Sequence, residues 1–316
     1  LKAPIAHALP SPARARFRWL GLALFGLVVP ALAAAELSLQ PVADGVFVHQ
    51  GKHVAVDDPA RGDSANLGVV IGQRCAAVID TGGSAATGRA LRAAVAALTS
   101  LPVCYVINTH AHFDHLLGNA AFADSGARFV GHQELPAAVA ASEEYFSEHF
   151  ATERAGDTRP LLPADGVWVA NATRLDLGGR ELLVSAVPKA HSSADLTVLD
   201  VATGTLFTGD LVFMARLPVL DGSLRGWLAW LDAAQAQTLA RIVPGHGPVA
   251  APWPAAAAPE RAYLEALQRE ARAAIKAGDF LEDVLARAEA TSPAGWVLTG
   301  PHPRNMSKAF REFEWD

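Results

Sequence analysis

The sequence predicts an α/β fold with its reactive side chains gathered at strand ends. Three observations lead there. Apolar runs of strand length alternate with stretches of helical periodicity, as at 75–81, 85–98 and 103–109. The His and Asp residues best suited to chemistry follow such runs, which is where open α/β sheets carry their sites. The chain has 316 residues at 51% hydrophobic composition, enough to bury a large core in one or two domains. No internal repeat and no long polar linker divides it.

Taken in order, 45–51 and 66–72 read as a strand pair, each bounded by Gly or Asn. The connection at 53–63 carries His53, Asp57, Asp58, Arg61 and Asp63, and long loops of this kind often shape access to a site. Residues 75–81 form a buried strand. Leu91, Val95 and Leu98 stand at helical spacing between Gly82-Gly83 and Ser100, predicting a helix over 85–98. Residues 137–154 read as a helix with the acids at 143, 144 and 148 exposed. The spans 167–187 and 196–212 are β-rich with Gly turns, and 224–239 is helical. Trp227 and Trp230 on that helix belong to the core. Within 260–277, Tyr263, Leu264, Leu267, Ala271 and Ile275 form an apolar stripe that packs on the body of the domain.

Residues 110–115 read His-Ala-His-Phe-Asp-His directly after the strand at 103–109. Imidazole and carboxylate are the side chains that hold a borderline divalent metal such as zinc. His110 and His112 alternate and can grip one ion, while Asp114 and His115 come half a turn later and face a neighbouring position. One ion would leave donors over, whereas two ions use all four if the rest of the chain supplies partners. It supplies His191 after the apolar run Leu182-Leu183-Val184, Asp210 in Leu206-Phe207-Thr208-Gly209-Asp210, and His246 in Val243-Pro244-Gly245-His246-Gly247. His7, His49, His132, His149 and His302 lack such a pattern.

This set of motifs, from about Val46 to His246, resembles the metallo-β-lactamase superfamily. The resemblance implies a four-layer αβ/βα sandwich of two packed sheets, a common core of about 46–250 and a helical C-terminal extension of about 251–316. It implies that His110, His112 and His191 hold a first metal, that Asp114, His115 and His246 hold a second, and that Asp210 bridges the two. Two Zn2+ are expected, with Fe and Mn open. The zinc β-lactamases usually carry Cys or Ser where Asp210 stands, which points instead to glyoxalase II-like and related hydrolases. Flavodiiron proteins carry Glu where His112 stands, which argues against an oxygen-reducing site. Three segments (Arg61-Gly62-Asp63-Ser64-Ala65-Asn66, the block from Arg74 to Ser84, and the tail from His302-Pro303-Arg304-Asn305 to Glu314-Trp315) are similar to one bacterial subgroup, the quinoprotein relay system zinc metallohydrolases, themselves similar to SoxH-type proteins. That likeness implies a periplasmic pyrroloquinoline quinone-dependent dehydrogenase system as a partner. The strands carrying Cys75 and Cys104 are neighbours in the family's sheet. The two thiols either pair in an oxidising compartment or act as small buried apolar groups, and both readings stand.

Arg14, Arg16 and Arg18, an apolar run from Trp19 to Val29 and the small residues around Ala31 to Ala35 are ordered like a Sec-type secretory signal. Residues 1–35 are therefore expected to be removed on export to the periplasm, leaving a hydrolase domain at 36–316 without a stable membrane span; the apolar run is shorter than the ~20 residues a span needs. The formal charge is −6, and removal of Lys2 and the three arginines leaves −10. An acidic domain is a poor partner for nucleic acid, which excludes the RNA-processing class.

The expected chemistry is metal-assisted hydrolysis: two cations share a water and lower its pKa towards neutrality. Asp114 and Asp210 are the candidate catalytic acids, Asp114 steering a proton and Asp210 holding the cations together. Asp80, at the end of its strand, either orients a ligand imidazole or caps the turn before Gly82-Gly83. Lys189 and Arg216 are candidate receivers of an anionic substrate. The leading reading is an exported dinuclear zinc hydrolase of a small ester, thioester or related compound. The alternatives are a zinc β-lactamase and a metal-binding accessory protein of a quinoprotein system with little turnover.

Overall fold

Twelve strands in two sheets and seven helices make up the described part of a computed structural model, which covers residues 1–3, 37–156 and 161–316. The expected export segment at 1–35 lies, but for residues 1–3, outside the described residues. No helix among the described residues is long and apolar enough to cross a membrane.

The first sheet runs in the order β1 (Gln40–Ala43), β2 (Val46–His49), β3 (Leu67–Ile71), β4 (Ala76–Ile79), β5 (Val103–Ile107), β6 (Arg128–His132), β7 (Val167–Val169). Its first four strands are antiparallel, and β4 to β7 are parallel. The second sheet runs in the reverse of chain order: β12 (Arg241–His246), β11 (Thr205–Phe213), β10 (Leu196–Asp200), β9 (Glu181–Ala186), β8 (Ala172–Asp176). The helices are α1 (Ala85–Leu98), α2 (Phe113–Leu116), α3 (Leu135–His149), α4 (Leu224–Gln235), α5 (Ala258–Ala277), α6 (Leu281–Glu289) and α7 (His302–Phe313).

Side-chain alternation makes the layers. In β3, Val70 faces the second sheet while Leu67 and Val69 face α1; in β4, Ala77 and Ile79 face inward and Val78 outward. Val70, Ile79, Ile107 and Val130 of the first sheet form one buried cluster with Val184, Val198, Phe207 and Val243 of the second. Leu91 and Val95 of α1 cover the outer face of the first sheet. Leu206, Ile242 and residues of α4 to α7 form the fourth layer. Burial on both faces explains why β3, β4 and β11 read as nearly continuous apolar runs. Full burial of nine-residue β11 is worth about 1.5–3 kcal/mol for each large side chain that leaves water. Gly68 makes room for the Phe207 ring of the second sheet, since a Cβ there would lie 2.3 Å from it.

The αβ/βα sandwich expected from the motifs is thus the observed architecture. Ser84 caps α1 by accepting from Thr87 N at 3.0 Å. The helix expected over 137–154 stops at His149. Arg154 folds back on Glu143 at 2.5 Å, so that acid is engaged rather than free on an exposed face. The helix expected over 224–239 ends at Gln235. Strand β11 continues to Phe213, so Asp210 lies inside a strand and not at its end; the β11–β12 register is irregular on either side of Gly209, whose φ is +50°. Cys75 and Cys104 are joined in a disulfide with Cα atoms 5.7 Å apart. The pairing is local because β4 and β5 are parallel neighbours whose register shifts at Cys104.

Candidate metal centre

Two short connections deliver the clustered motif. Thr109 to His112 leave β5, and Asp114 and His115 lie on the single turn of α2. The turn is pinned from below: the His115 carbonyl accepts from Thr81 N at 2.9 Å and from Asn108 Nδ2 at 3.1 Å. His191 stands between β9 and β10, where Ser192 N and Oγ donate to buried Asp195. Asp210 comes from the irregular middle of β11, and His246 ends β12.

All seven sequence-selected side chains converge. One donor atom each from His110, His112, His191 and Asp210 forms one group, and Asp114, His115 and His246 form another; within each group the atoms lie within 4.8 Å of one another. The Asp210 carboxylate faces both groups. Its Oδ2 is 3.7 Å from His110 Nε2 and 3.6 Å from His191 Nε2, and its Oδ1 is 3.2 Å from His115 Nε2 and 3.4 Å from His246 Nε2. Asp114 Oδ2 lies 3.4 Å from His246 Nε2. Gly245 makes room for this arrangement, since a Cβ there would fall 2.0 Å from Asp210 Oδ1.

The second nitrogen of every imidazole has an acceptor. His115 Nδ1 is 2.7 Å from Asp80 Oδ2, His191 Nδ1 is 2.7 Å from the Val219 carbonyl and His246 Nδ1 is 2.8 Å from the Ser64 carbonyl. His110 Nδ1 is 3.0 Å from Thr109 Oγ1, whose own proton goes to Asp80 Oδ2. His112 runs the other way round, with Nε2 at 2.9 Å from Asp221 Oδ2. In each ring the outer acceptor favours the tautomer with its proton on the outer nitrogen and a lone pair on the inner one. Three such lone pairs meet at the first group: His112 Nδ1 is 3.1 Å from His110 Nε2 and 3.0 Å from His191 Nε2. The buried atoms His115 Nε2 and Asp210 Oδ1 have no hydrogen-bond partner among the described residues. Orphaned buried donors, converging lone pairs and fixed tautomers are what a divalent cation requires, so the residues fit a metal.

Without a metal the electrostatics divide the rings: burial opposes charge on His112, yet the Asp221 hydrogen bond raises it from its ordinary value, so a cation there would have to displace a proton. Burial holds His110 well below the usual imidazole range and His191 down to about 3, so both are neutral and ready to coordinate. Burial opposes charge on His115 as well, but Asp210, Asp80 and Asp114 together raise it well above its ordinary value. Burial works against the Asp210 carboxylate, yet His246, His115 and His110 hold it well below the carboxylate range. Asp221 is likewise held low, against its burial, by the His112 hydrogen bond.

Of the other expectations, Asp80 accepts from His115 and also from Thr109 N at 2.8 Å. Arg216 Nη1 lies 3.9 Å from Asp114 Oδ2 and borders the cavity above the site, whereas Lys189 is exposed and does not line it. Ala55 and Val56 of the 53–63 loop line that cavity, and Arg61 ties the loop to Glu153 at 2.6 Å. Trp227 is fully buried and packs T-shaped against His191, with ring centroids 5.3 Å apart. Sequence reasoning missed Ser64, whose Oγ donates to Asp114 Oδ2 at 2.9 Å, and Asp221. The cavity holds about 600 Å3, with Phe113, Tyr145 and Phe146 among its walls.

The family model of the metallo-beta-lactamase superfamily matches residues 60–246, and the chain belongs to that superfamily of metal-dependent hydrolases. Solved structures share the fold. The metallo-beta-lactamase from Pontibacter korlensis is 20% identical, with a TM-score of 0.59 over 73% of this chain and 99% of its own. The metallo beta lactamase from Hirschia baltica is 19% identical, with a TM-score of 0.56 over 72% of this chain and 97% of its own. A double mutant of the sec-alkyl sulfatase PisA1 is 16% identical, with a TM-score of 0.63 over 88% of this chain and 50% of its own. No curated protein matches significantly in sequence.

Proposed function

We propose that the protein is an exported dinuclear zinc hydrolase of a small ester, thioester or related substrate, akin to the quinoprotein relay system zinc metallohydrolases. One observation carries the reading: five imidazoles and two carboxylates converge, and each ring has its outer nitrogen fixed by an acceptor. In this assignment His110, His112 and His191 would hold one ion and Asp114, His115 and His246 the other, with Asp210 facing both groups. The nitrogen and oxygen donor set suits zinc and tolerates iron or manganese.

When bound, such a pair of metals lowers the pKa of a coordinated water and polarises the bond to be broken. The chain's own groups do the rest. Asp210 places a negative charge between the two imidazole groups. Asp114, fixed by the Ser64 hydroxyl, is positioned to hold and pass a proton at its carboxylate. Phe113, Tyr145 and Phe146 limit water around the reacting centre, and Arg216 receives negative charge on the substrate. The Cys75–Cys104 disulfide supports export, because such bonds persist in oxidising compartments.

Purified protein reconstituted with zinc should hydrolyse at least one member of a thioester, lactone, sulfate-ester and lactam panel, with activity abolished by a chelator and in Asp210→Ala. Failure across the panel with full metal content would favour the accessory-protein reading. Turnover of the lactam alone would favour the β-lactamase reading.

A further inference from the structure

Two imidazoles of the first group depend on one irregular segment. Between β11 and α4, Asp221 takes the His112 Nε2 proton at 2.9 Å, and the Val219 carbonyl takes the His191 Nδ1 proton at 2.7 Å. On one side the segment is tied to the site itself, since Asp221 N and Gly222 N donate to the His191 carbonyl at 2.9 and 2.7 Å. Its remaining polar groups must be satisfied from elsewhere, because the segment forms neither strand nor helix.

The first turn of α7 supplies them. Asn305 is fully buried; its Oδ1 accepts from Leu220 N at 2.9 Å, and its Nδ2 donates to the Pro218 carbonyl at 2.7 Å. The same amide reaches the Tyr263 hydroxyl of α5 at 3.0 Å. Arg304 donates through Nη2 to Asp221 Oδ1, the oxygen that His112 does not use. Leu298, Pro301 and Arg304 also wall the cavity above the metals. The His302-Pro303-Arg304-Asn305 stretch thus touches the site through a loop, some 60 residues beyond the last ligand in the chain.

We infer that Arg304 and Asn305 are positioning residues of the metal centre, acting on His112 and His191 through the 218–221 segment; this rests on the proposed metal-binding reading. Ligand rings must be held within about 0.5 Å of the productive geometry. An outer partner that orients a ligand typically contributes 10–100-fold in metal affinity. The C-terminal extension therefore completes the site rather than decorating the domain.

The test is competition between the full chain and a chromophoric chelator for zinc, with the visible spectrum of the cobalt-substituted protein as a second readout. Arg304→Ala should weaken one of the two equivalents by about tenfold, the lower end of the outer-partner range, leave the other unchanged and alter the cobalt bands. Arg304→Lys, which keeps a cation beside Asp221, should recover most of the loss. Asn305→Ala should weaken the same equivalent more. Val284→Ala, a core change on α6, should lower stability without moving either affinity. Folded Arg304→Ala protein with wild-type affinity at both equivalents would overturn the inference, as would an equal loss in Val284→Ala. A wild-type chain that binds no metal would instead defeat the metal-centre reading on which the inference stands.

Discussion

At the scale of single residues, the centre is defined by what stands behind the ligands as much as by the ligands. Asp80 shows this most clearly. It sits at φ +58°, a region that Asp and Asn tolerate better than most side chains. Its carboxylate accepts from Thr109 N, Thr109 Oγ1 and His115 Nδ1 at 2.8, 2.8 and 2.7 Å. Asp80→Asn keeps the backbone conformation but puts an amide N–H where a proton acceptor is needed. It should weaken zinc binding by about 10–100-fold with little loss of melting temperature in the metal-free protein, measured by chelator competition and thermal denaturation. The seven converging residues were legible because only 11 of the 316 residues are His, and four of the seven are crowded into 110–115. Their supports were less legible. Asp221 lies 109 residues from His112, and the acceptors for His191 and His246 are backbone carbonyls, which any residue type supplies.

At the scale of elements, apolar periodicity located strands and helices wherever one face is uniformly apolar. Helix α1 matches its expected span because Leu91 and Val95 lie on a clean inward stripe. Helix α7 buries His302 and Asn305 alongside Met306, Ala309, Phe310 and Phe313, so polar residues interrupt its stripe and hide it. Glu260 on α5 is a similar case. It is fully buried, accepts from Phe213 N at 3.0 Å through Oε1, and leaves Oε2 without a partner among the described residues. Burial, with Asp210 adding to it, pushes this carboxyl well above the usual Glu range. The folded state therefore binds the Glu260 proton more tightly than the unfolded state. The stability this gives is present below the unfolded pKa of about 4.5 and is lost as pH rises towards the folded value. Glu260→Gln, which mimics the protonated form, should be more stable than wild type at pH 8 by about 1–3 kcal/mol, the cost of an unsatisfied buried group. The difference should vanish near pH 4. Urea denaturation of the metal-free wild type and variant at the two pH values checks this.

At the scale of the whole molecule, the two sheets bring together residues spread from His110 to His246. Parallel β4 and β5 deliver Asp80 and the His cluster, and parallel β11 and β12 deliver Asp210 and His246. The pleat of each sheet then faces the other across a shared apolar layer. Local patterns placed several strands but missed β1 and β6, and they carry no record of which sheet a strand joins. The motif resemblance supplied that pairing, and it gave no account of how α7 reaches the site. The central claim is that this convergence exists to hold two metal ions. The most direct measurement is elemental analysis of the purified chain after zinc reconstitution, paired with the same assay on His115→Ala. Two equivalents are expected in the wild type and about one in the variant, with the remaining ion held by the His110, His112 and His191 group. A wild-type chain that stays free of transition metals after reconstitution, or a variant that retains both ions at full affinity, would contradict the central claim.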